Sequence, residues 1–169
     1  MKLQIRPVRK KDIPLLDQQL GFGYRGKHAK RYEMQRTGQS TYLIAWEANG
    51  PVGHGLVKWN PQHEHAALKP LNVEACPDLE DLLVHPNLRG RGIGTAILKR
   101  ALMVARRRGC KRIGLSVGES DNPRARALYE RIGFSDAGLG PIKMGGAYTD
   151  KDGKACRWEE ICIYLIKPL

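Results

Sequence analysis

Residues 87–101, NLRGRGIGTAILKRA, set Gly90, Gly92 and Gly94 at every second position, interleave Arg89 and Arg91, and run on into a helical pattern. A turn without Cβ atoms that opens a helix presents unpaired backbone N–H groups at the positive end of the helix dipole, which suits a phosphate or pyrophosphate. A triphosphate loop of the G-x-x-x-x-G-K-[ST] kind also needs a Lys-Ser/Thr pair, and nothing here supplies it. A dinucleotide fingerprint would begin at Gly92 and Gly94, but Ile97 holds its third glycine position and no acid follows about 20 residues later at a strand end. Two readings stay open: a pyrophosphate cradle, or a glycine turn that lets a helix pack closely on a sheet.

Proton transfer would need other residues. The stretch EACPDLED (74–81) gathers Glu74, Asp78, Glu80 and Asp81 in a chain with 29 Lys and Arg against 17 Asp and Glu. Strand alternation puts Asp78 and Glu80 on the face of Leu82 and Val84, with Asp81 on the other. Asp78 and Glu80 are therefore candidate bases, the plain alternative being a solvated strand start. Glu159 and Glu160 are weaker candidates. His63 and His65 lack a third ligand at a useful spacing, so no metal site is expected. Arg106, Arg107, Arg108, Lys111 and Arg112 form a basic run at a helix end, which suits the helix dipole, a cofactor phosphate or nucleic acid. No aromatics interleave it as single-strand stacking requires, and nucleic acid is not the expected partner. Trp46, Trp59 and Trp158 are expected to pack in the core.

The elements that must position these groups are readable in order. Residues 2–8 alternate as a strand, Asp12 and Pro14 open a helix, and a second, weaker helix covers about 28–36. Two β-rich runs flank Asn49-Gly50 as a hairpin, and LEDLLV follows an irregular stretch as a strand. From residue 92 apolar residues recur at helical spacing until Gly109 stops them. Ile113, Leu115 and Val117 share a strand face, Asn122-Pro123 starts a last helix, and extended pieces turn at 150–153 into a final strand. This is a mixed sheet with helices packed on it.

At 169 residues with 41% hydrophobic and 27% charged content, the chain reads as one folded domain, 1–169, neither disordered nor membrane-spanning. The start, MKLQIRPVRKKD, has no apolar leader core, and a cytoplasmic setting is expected. Cys76, Cys110, Cys156 and Cys162 lack C-x-x-C spacing and are expected to be reduced and mostly buried. The net charge of +12 attracts something anionic, whether nucleic acid or a phosphate-rich cofactor, and also serves solubility.

Val84 to Gly94, V-x-P-x-x-R-G-x-G-I-G, followed by Asn122 to Phe134, N-x-x-A-x-x-L-Y-x-x-x-G-F, resembles the GNAT N-acetyltransferase superfamily. The resemblance covers residues 78–136 by motif and the remainder by element order. It implies an α/β (α+β) fold with a mostly antiparallel sheet of about six or seven strands, about four flanking helices, and two parallel strands that splay at the cofactor site. Those strands would be 79–85 and 112–118. Acetyl-CoA would lie between them as cosubstrate, without a metal. Its pyrophosphate would sit on the amides of Arg89, Gly90, Arg91, Gly92, Ile93, Gly94 and Thr95. Its pantetheine arm would pair with the backbone of Leu82, Leu83 and Val84, one N–H polarising the thioester carbonyl. Asn122 and Ala125 would contact the cofactor, although Asn122 would equally cap a helix.

By the same resemblance Tyr129 stands where an acid would protonate the departing thiolate, or else packs against the cofactor. The acceptor would be a primary amine, on a small molecule or a protein, attacking directly without a covalent enzyme intermediate. An amine of ordinary pKa is only about 0.04% neutral at pH 7, a penalty of roughly 4.6 kcal/mol, so a carboxylate or water chain must take its proton. A small cationic amine fits the acidic stretch, and a homodimer is common among such proteins. The competing classes are a basic nucleic-acid-binding module and a CoA-binding sensor without turnover.

Overall fold

The computed structural model describes residues 2–61, 66–71, 76–119 and 123–169. Eight strands and four α-helices are formed among them. In chain order these are β1 (Gln4–Pro7), α1 (Ile13–Leu20), α2 (Lys27–Arg36), β2 (Ser40–Glu47), β3 (Gly50–Lys58), β4 (Asp78–Val84), α3 (Ile93–Arg107), β5 (Arg112–Gly118), α4 (Pro123–Ile132), β6 (Ser135–Asp136), β7 (Ile142–Thr149) and β8 (Ala155–Pro168). The two-residue β6 takes the strand count above the six or seven expected.

The sheet order is β1-β2-β3-β4-β5-β8-β6, with β7 paired to β8. β8 is long enough to serve twice. Its first half pairs with β7 from Thr149↔Ala155 to Ile142↔Cys162, and its second half pairs with β5 from Gly118↔Cys162 to Arg112↔Pro168. The β2–β3 hairpin closes through Ala48-Asn49, one residue before the Asn49-Gly50 turn expected, because Glu47 pairs with Gly50; Gly50 has φ +126°, a conformation costly for other residues. All these pairings are antiparallel except β4–β5, which α3 joins as a β-α-β crossover.

Helices cover both faces. On one side α1 buries Leu16 and Leu20 against Tyr42, Ile44 and Leu56, and α2 packs Tyr32 and Met34 on the same cluster. On the other, α3 buries Ile93, Ile97, Leu98, Ala101, Leu102 and Ala105, spaced by three and four as an amphipathic helix requires. Each buried Leu or Ile contributes about 1.5–3 kcal/mol, and Leu98→Ala would cost about 2–5 kcal/mol. Gly53 and Gly55 let α3 approach closely. A Cβ on Gly53 would stand 3.1 Å from Ile97 and 2.6 Å from the Leu83 carbonyl, and one on Gly55 3.0 Å from Ile97. Cys76, Cys110 and Cys162 are buried, and all four cysteines are free. No described helix is long and apolar enough to cross a membrane.

Candidate active site

Two breaks in regularity make the site. The first is where the parallel strands part. β4 and β5 are in register only at Asp78↔Gly114, reinforced by the Gly114 N–H on the Pro77 carbonyl at 2.9 Å. Beyond that point each strand turns to its other neighbour, β4 to β3 and β5 to β8. The β4 backbone from Leu82 to Val84 thus offers one edge to an extended guest.

The second break is a bulge. Leu56 pairs with Glu80 and His54 with Leu83, so a two-residue step of β3 is matched by three residues of β4. The extra residue is Asp81, at φ +47°. This overturns the alternation expected for the strand. Leu82 and Val84 pack towards Ile93 and Ile97 of α3, Leu82 also bordering a cavity between the splayed strands, α2 and the β7–β8 arm. Asp81 instead reaches Lys27 and Arg31 of α2, Glu80 reaches Lys58, and both line that cavity with Asp78. Asp78 and Glu80 therefore do not share the face of Leu82 and Val84, and Asp81 joins them, because a bulge shifts the pleat by one residue.

The glycine turn lies at the end of β4. A short 3₁₀ turn at Pro86–Leu88 leads through extended Arg89 to Gly90 (φ +81°) and Gly92 (φ +80°), and α3 starts at Ile93. Gly92 caps α3 without a side chain, and four amides in the first turn of a helix have no intrahelical partner. A Cβ at Gly90 or Gly92 would meet nothing within 4 Å, and one at Gly94 would make only ordinary contacts, 3.6 Å to Val84 and 3.9 Å to Leu128. These glycines are thus not required by helix–sheet packing, unlike Gly53 and Gly55. Gly90 and Gly92 serve the left-handed backbone, and all three leave the amides open. Arg91 reaches Glu47 at 3.1 Å across the exposed rim, and Arg89 leans on the Val84 carbonyl at 3.4 Å. These residues fit a pyrophosphate by backbone N–H groups and the dipole of a 15-residue helix.

The cavity holds about 840 Å³. Leu79, Leu82, Val117, Ala125 and Tyr129 line its α3–α4 side. Tyr129 is buried, its ring tilted against Phe134, and burial pushes its phenol up to about 12. It is a hydrogen-bond donor at any working pH.

The opposite wall is charged. Asp81 Oδ2 takes Lys27 Nζ at 3.0 Å and Arg31 Nη1 at 2.6 Å, and Lys58 Nζ meets Glu80 at 3.0 Å. Burial works against the Asp81 carboxylate, but Arg31, His54 and Lys27 outweigh it and hold its pKa well below the usual range. Behind it, His54 Nδ1 donates to the Asp81 carbonyl at 3.1 Å, and Tyr42 donates to His28 Nδ1 at 2.8 Å. Both histidines are neutral, since burial lowers His54 to about 3 and His28 to about 4. Asp78 is 1% exposed at the floor.

Among the other sequence candidates, Glu160 lines the cavity, while Glu159 pairs with Lys143 at 2.9 Å on the surface. Trp59 is buried, but Trp158 is 44% exposed at the cavity wall, so it is not the core residue expected. A 15-residue α3 is about 22 Å long, so the basic run at its end is remote from the glycine turn and does not suit a phosphate held there. Two of its members serve packing: Arg108 lies 4.3 Å over the Trp59 ring, and Arg112 reaches the Leu71 carbonyl at 3.4 Å. Asn122, Glu74, His63 and His65 lie outside the described residues. No group of three or more His, Cys, Asp or Glu converges on a metal position among the described residues. Sequence reasoning missed Lys27 and Arg31. Their signal was a pair of cations four apart on a weakly patterned helix.

The family model of the acetyltransferase (GNAT) family matches residues 13–134. A 52-residue stretch is 54% identical to mycothiol acetyltransferase of Beutenbergia cavernae, covering 31% of this chain and 17% of that protein. A 92-residue stretch is 37% identical to thialysine N-epsilon-acetyltransferase of Bos taurus, covering 53% of this chain and 49% of the relative. The matched stretches thus span less than half the length of these curated relatives. In fold, the chain is similar to the ribosomal-protein-alanine N-acetyltransferase of Brucella melitensis (TM-score 0.68, 19% identity, 98% of this chain and 99% of that one). It is also similar to the PaiA N-acetyltransferase of Thermoplasma acidophilum in complex with coenzyme A (TM-score 0.66, 16% identity, all of both chains).

Proposed function

The chain belongs to the acetyltransferase (GNAT) family, and on that premise we propose that it moves an acetyl group from acetyl-CoA to a primary amine by direct attack. The observation that carries this reading is the pairing of an open amide turn at Gly90–Thr95 with a strand edge at Leu82–Val84 that β5 does not cover. The first suits a pyrophosphate, the second an extended arm with amide groups. Ala125 and Tyr129 flank the path between the splayed strands. A primary amine acceptor agrees with the name of the bovine relative, a thialysine N-epsilon-acetyltransferase.

Acetyl-CoA supplies an activated thioester. The chain's own groups then have three tasks. A β4 N–H near the bulge polarises the carbonyl as negative charge develops on its oxygen, where a preorganised donor is most effective. Asp78 or Glu80, directly or through water, accepts the proton that the amine loses as its nitrogen bonds to the carbonyl carbon. Tyr129 donates a hydrogen bond to the sulfur as the C–S bond breaks. With a phenol near 12 and a thiol near 8.5, complete proton transfer is uphill by about 4.8 kcal/mol, so this tyrosine stabilises a thiolate rather than protonating it.

Release of free CoA thiol from acetyl-CoA, measured over a panel of primary amines, tests the reading. Amine-dependent release is expected. Binding of acetyl-CoA without release by any small or protein amine would make the chain a CoA-binding sensor, and retention of activity in both Asp78→Ala and Glu80→Ala would remove the carboxylate base.

A further inference from the structure

The cavity wall formed by α2 carries a positive charge that is not balanced there. Lys27, Lys30 and Arg31 recur on one face of α2, and Arg25 precedes the helix, its backbone N–H fixed to the Thr149 carbonyl at 2.9 Å; all four line the cavity. Asp81 is the carboxylate that faces them, and it is shared between Lys27 and Arg31. Those two side chains are only 11% and 15% exposed, so water does little to dissipate their charge. Arg25 and Lys30 have no carboxylate partner among the described residues.

The other carboxylates lie across the floor. Asp78 sits where β4 meets β5, close enough to Tyr164 of β8 for its charge to help hold that phenol protonated. Glu160 follows on β8, two residues before Cys162 and four before Tyr164, which puts the three on one strand face. Glu80 is engaged by Lys58. The cavity is therefore bipolar, with surplus cations on the α2 wall and carboxylates on the β4–β8 floor. This also revises the expectation of a simple cationic acceptor, because part of the acidic stretch is already neutralised by lysine and arginine.

We propose that the acceptor is a small amine that carries its own carboxylate, of the amino-acid type, with the carboxylate held by Arg25, Lys30 and the Lys27–Arg31 pair and the amine turned towards the floor. This rests on the acetyl-transfer reading. A diamine of the same length lacks the carboxylate that offsets its second ammonium, so an uncompensated positive charge would face the α2 cations, and repulsion of that kind excludes wrong partners as attraction selects right ones.

The test compares matched pairs in the CoA-thiol assay: L-lysine against cadaverine, and L-ornithine against putrescine, with lysinamide, which keeps both amines but carries a neutral amide in place of the carboxylate, as the control. The expected result is a kcat/KM at least tenfold higher for the amino acids, with lysinamide close to the diamines. The double variant Arg25→Gln, Lys30→Gln should raise KM for the preferred amino acid about tenfold and leave the thermal shift caused by acetyl-CoA in place. Equal or better use of the diamines would overturn the proposal. So would acetyl-CoA binding with no turnover of any carboxylate-bearing amine in a set of the common amino acids. Failure to bind acetyl-CoA at all would instead strike the acetyl-transfer reading.

Discussion

Arg31 Nη1 stands 2.6 Å from Asp81 Oδ2, and this contact ties α2 to the single residue that bulges out of β4. Asp81 holds a left-handed backbone at φ +47°, which Asp tolerates better than most residues and Gly tolerates freely. Its carboxylate anchors a helix while its backbone shapes the strand edge at Leu82–Val84.

The two duties separate by substitution. Asp81→Gly keeps the backbone and loses the ion pairs, and Asp81→Ala loses both. Asp81→Ala should lower kcat more than tenfold, with a smaller loss in Asp81→Gly. Equal kcat in both variants would show that the ion pairs, not the bulge geometry, carry the effect.

Gly90→Ala and Gly92→Ala force an L side chain into φ near +80°, at a cost of about 1–2 kcal/mol, without touching any neighbour. The expected outcome is a KM for acetyl-CoA raised about tenfold or more, with Tm lowered by only a few degrees. Unchanged KM with the same loss of Tm would reduce the turn to a structural one.

Tyr129→Phe removes a donor whose phenol lies near 12. Since that group stays protonated across the working range, kcat should fall by about tenfold while the pH dependence below pH 10 keeps its shape. An alkaline limb that vanishes in the variant would show that Tyr129 titrates in the reaction.

Acid should destabilise the protein early. His28 and His54 have folded-state values of about 4 and about 3, below the unfolded value, so between those values and about 6.5 the unfolded chain binds more protons and stability falls as pH falls. At pH 5 each histidine costs on the order of 2 kcal/mol. Asp81 has the opposite timing: its pKa is depressed, so its contribution persists above the ordinary carboxylate range and is lost only in stronger acid. Tm measured from pH 7.5 to pH 5 should drop by several degrees. The double variant His28→Phe, Tyr42→Phe, which removes both ends of one buried hydrogen bond, should show a shallower slope; an unaltered slope would assign the effect elsewhere.

The elements that carry the proposed donor side were legible because their signals are local. A β-strand, a glycine turn and a helix start lie consecutively from Val84 to Gly94, and Ala125 and Tyr129 follow on one short helix. The α2 wall was not, because Lys27 and Arg31 meet Asp81 across about 50 residues of chain, a distance no periodicity carries. The bulge at Asp81 was hidden for a different reason: period-two alternation assumes one residue opposite one, and nothing in DLEDLLV announces the extra residue. Gly53 and Gly55 likewise look like weak points of a strand until α3 is seen to lie on them.

The most direct measurement is the thermal unfolding of the purified chain with and without acetyl-CoA. At a hundredfold excess over Kd, specific binding contributes about 2.7 kcal/mol, which for a domain of this size raises Tm by about 5–10 °C. That rise is expected, with Gly92→Ala reducing it at the same concentration. No shift at millimolar acetyl-CoA would contradict the account at its centre.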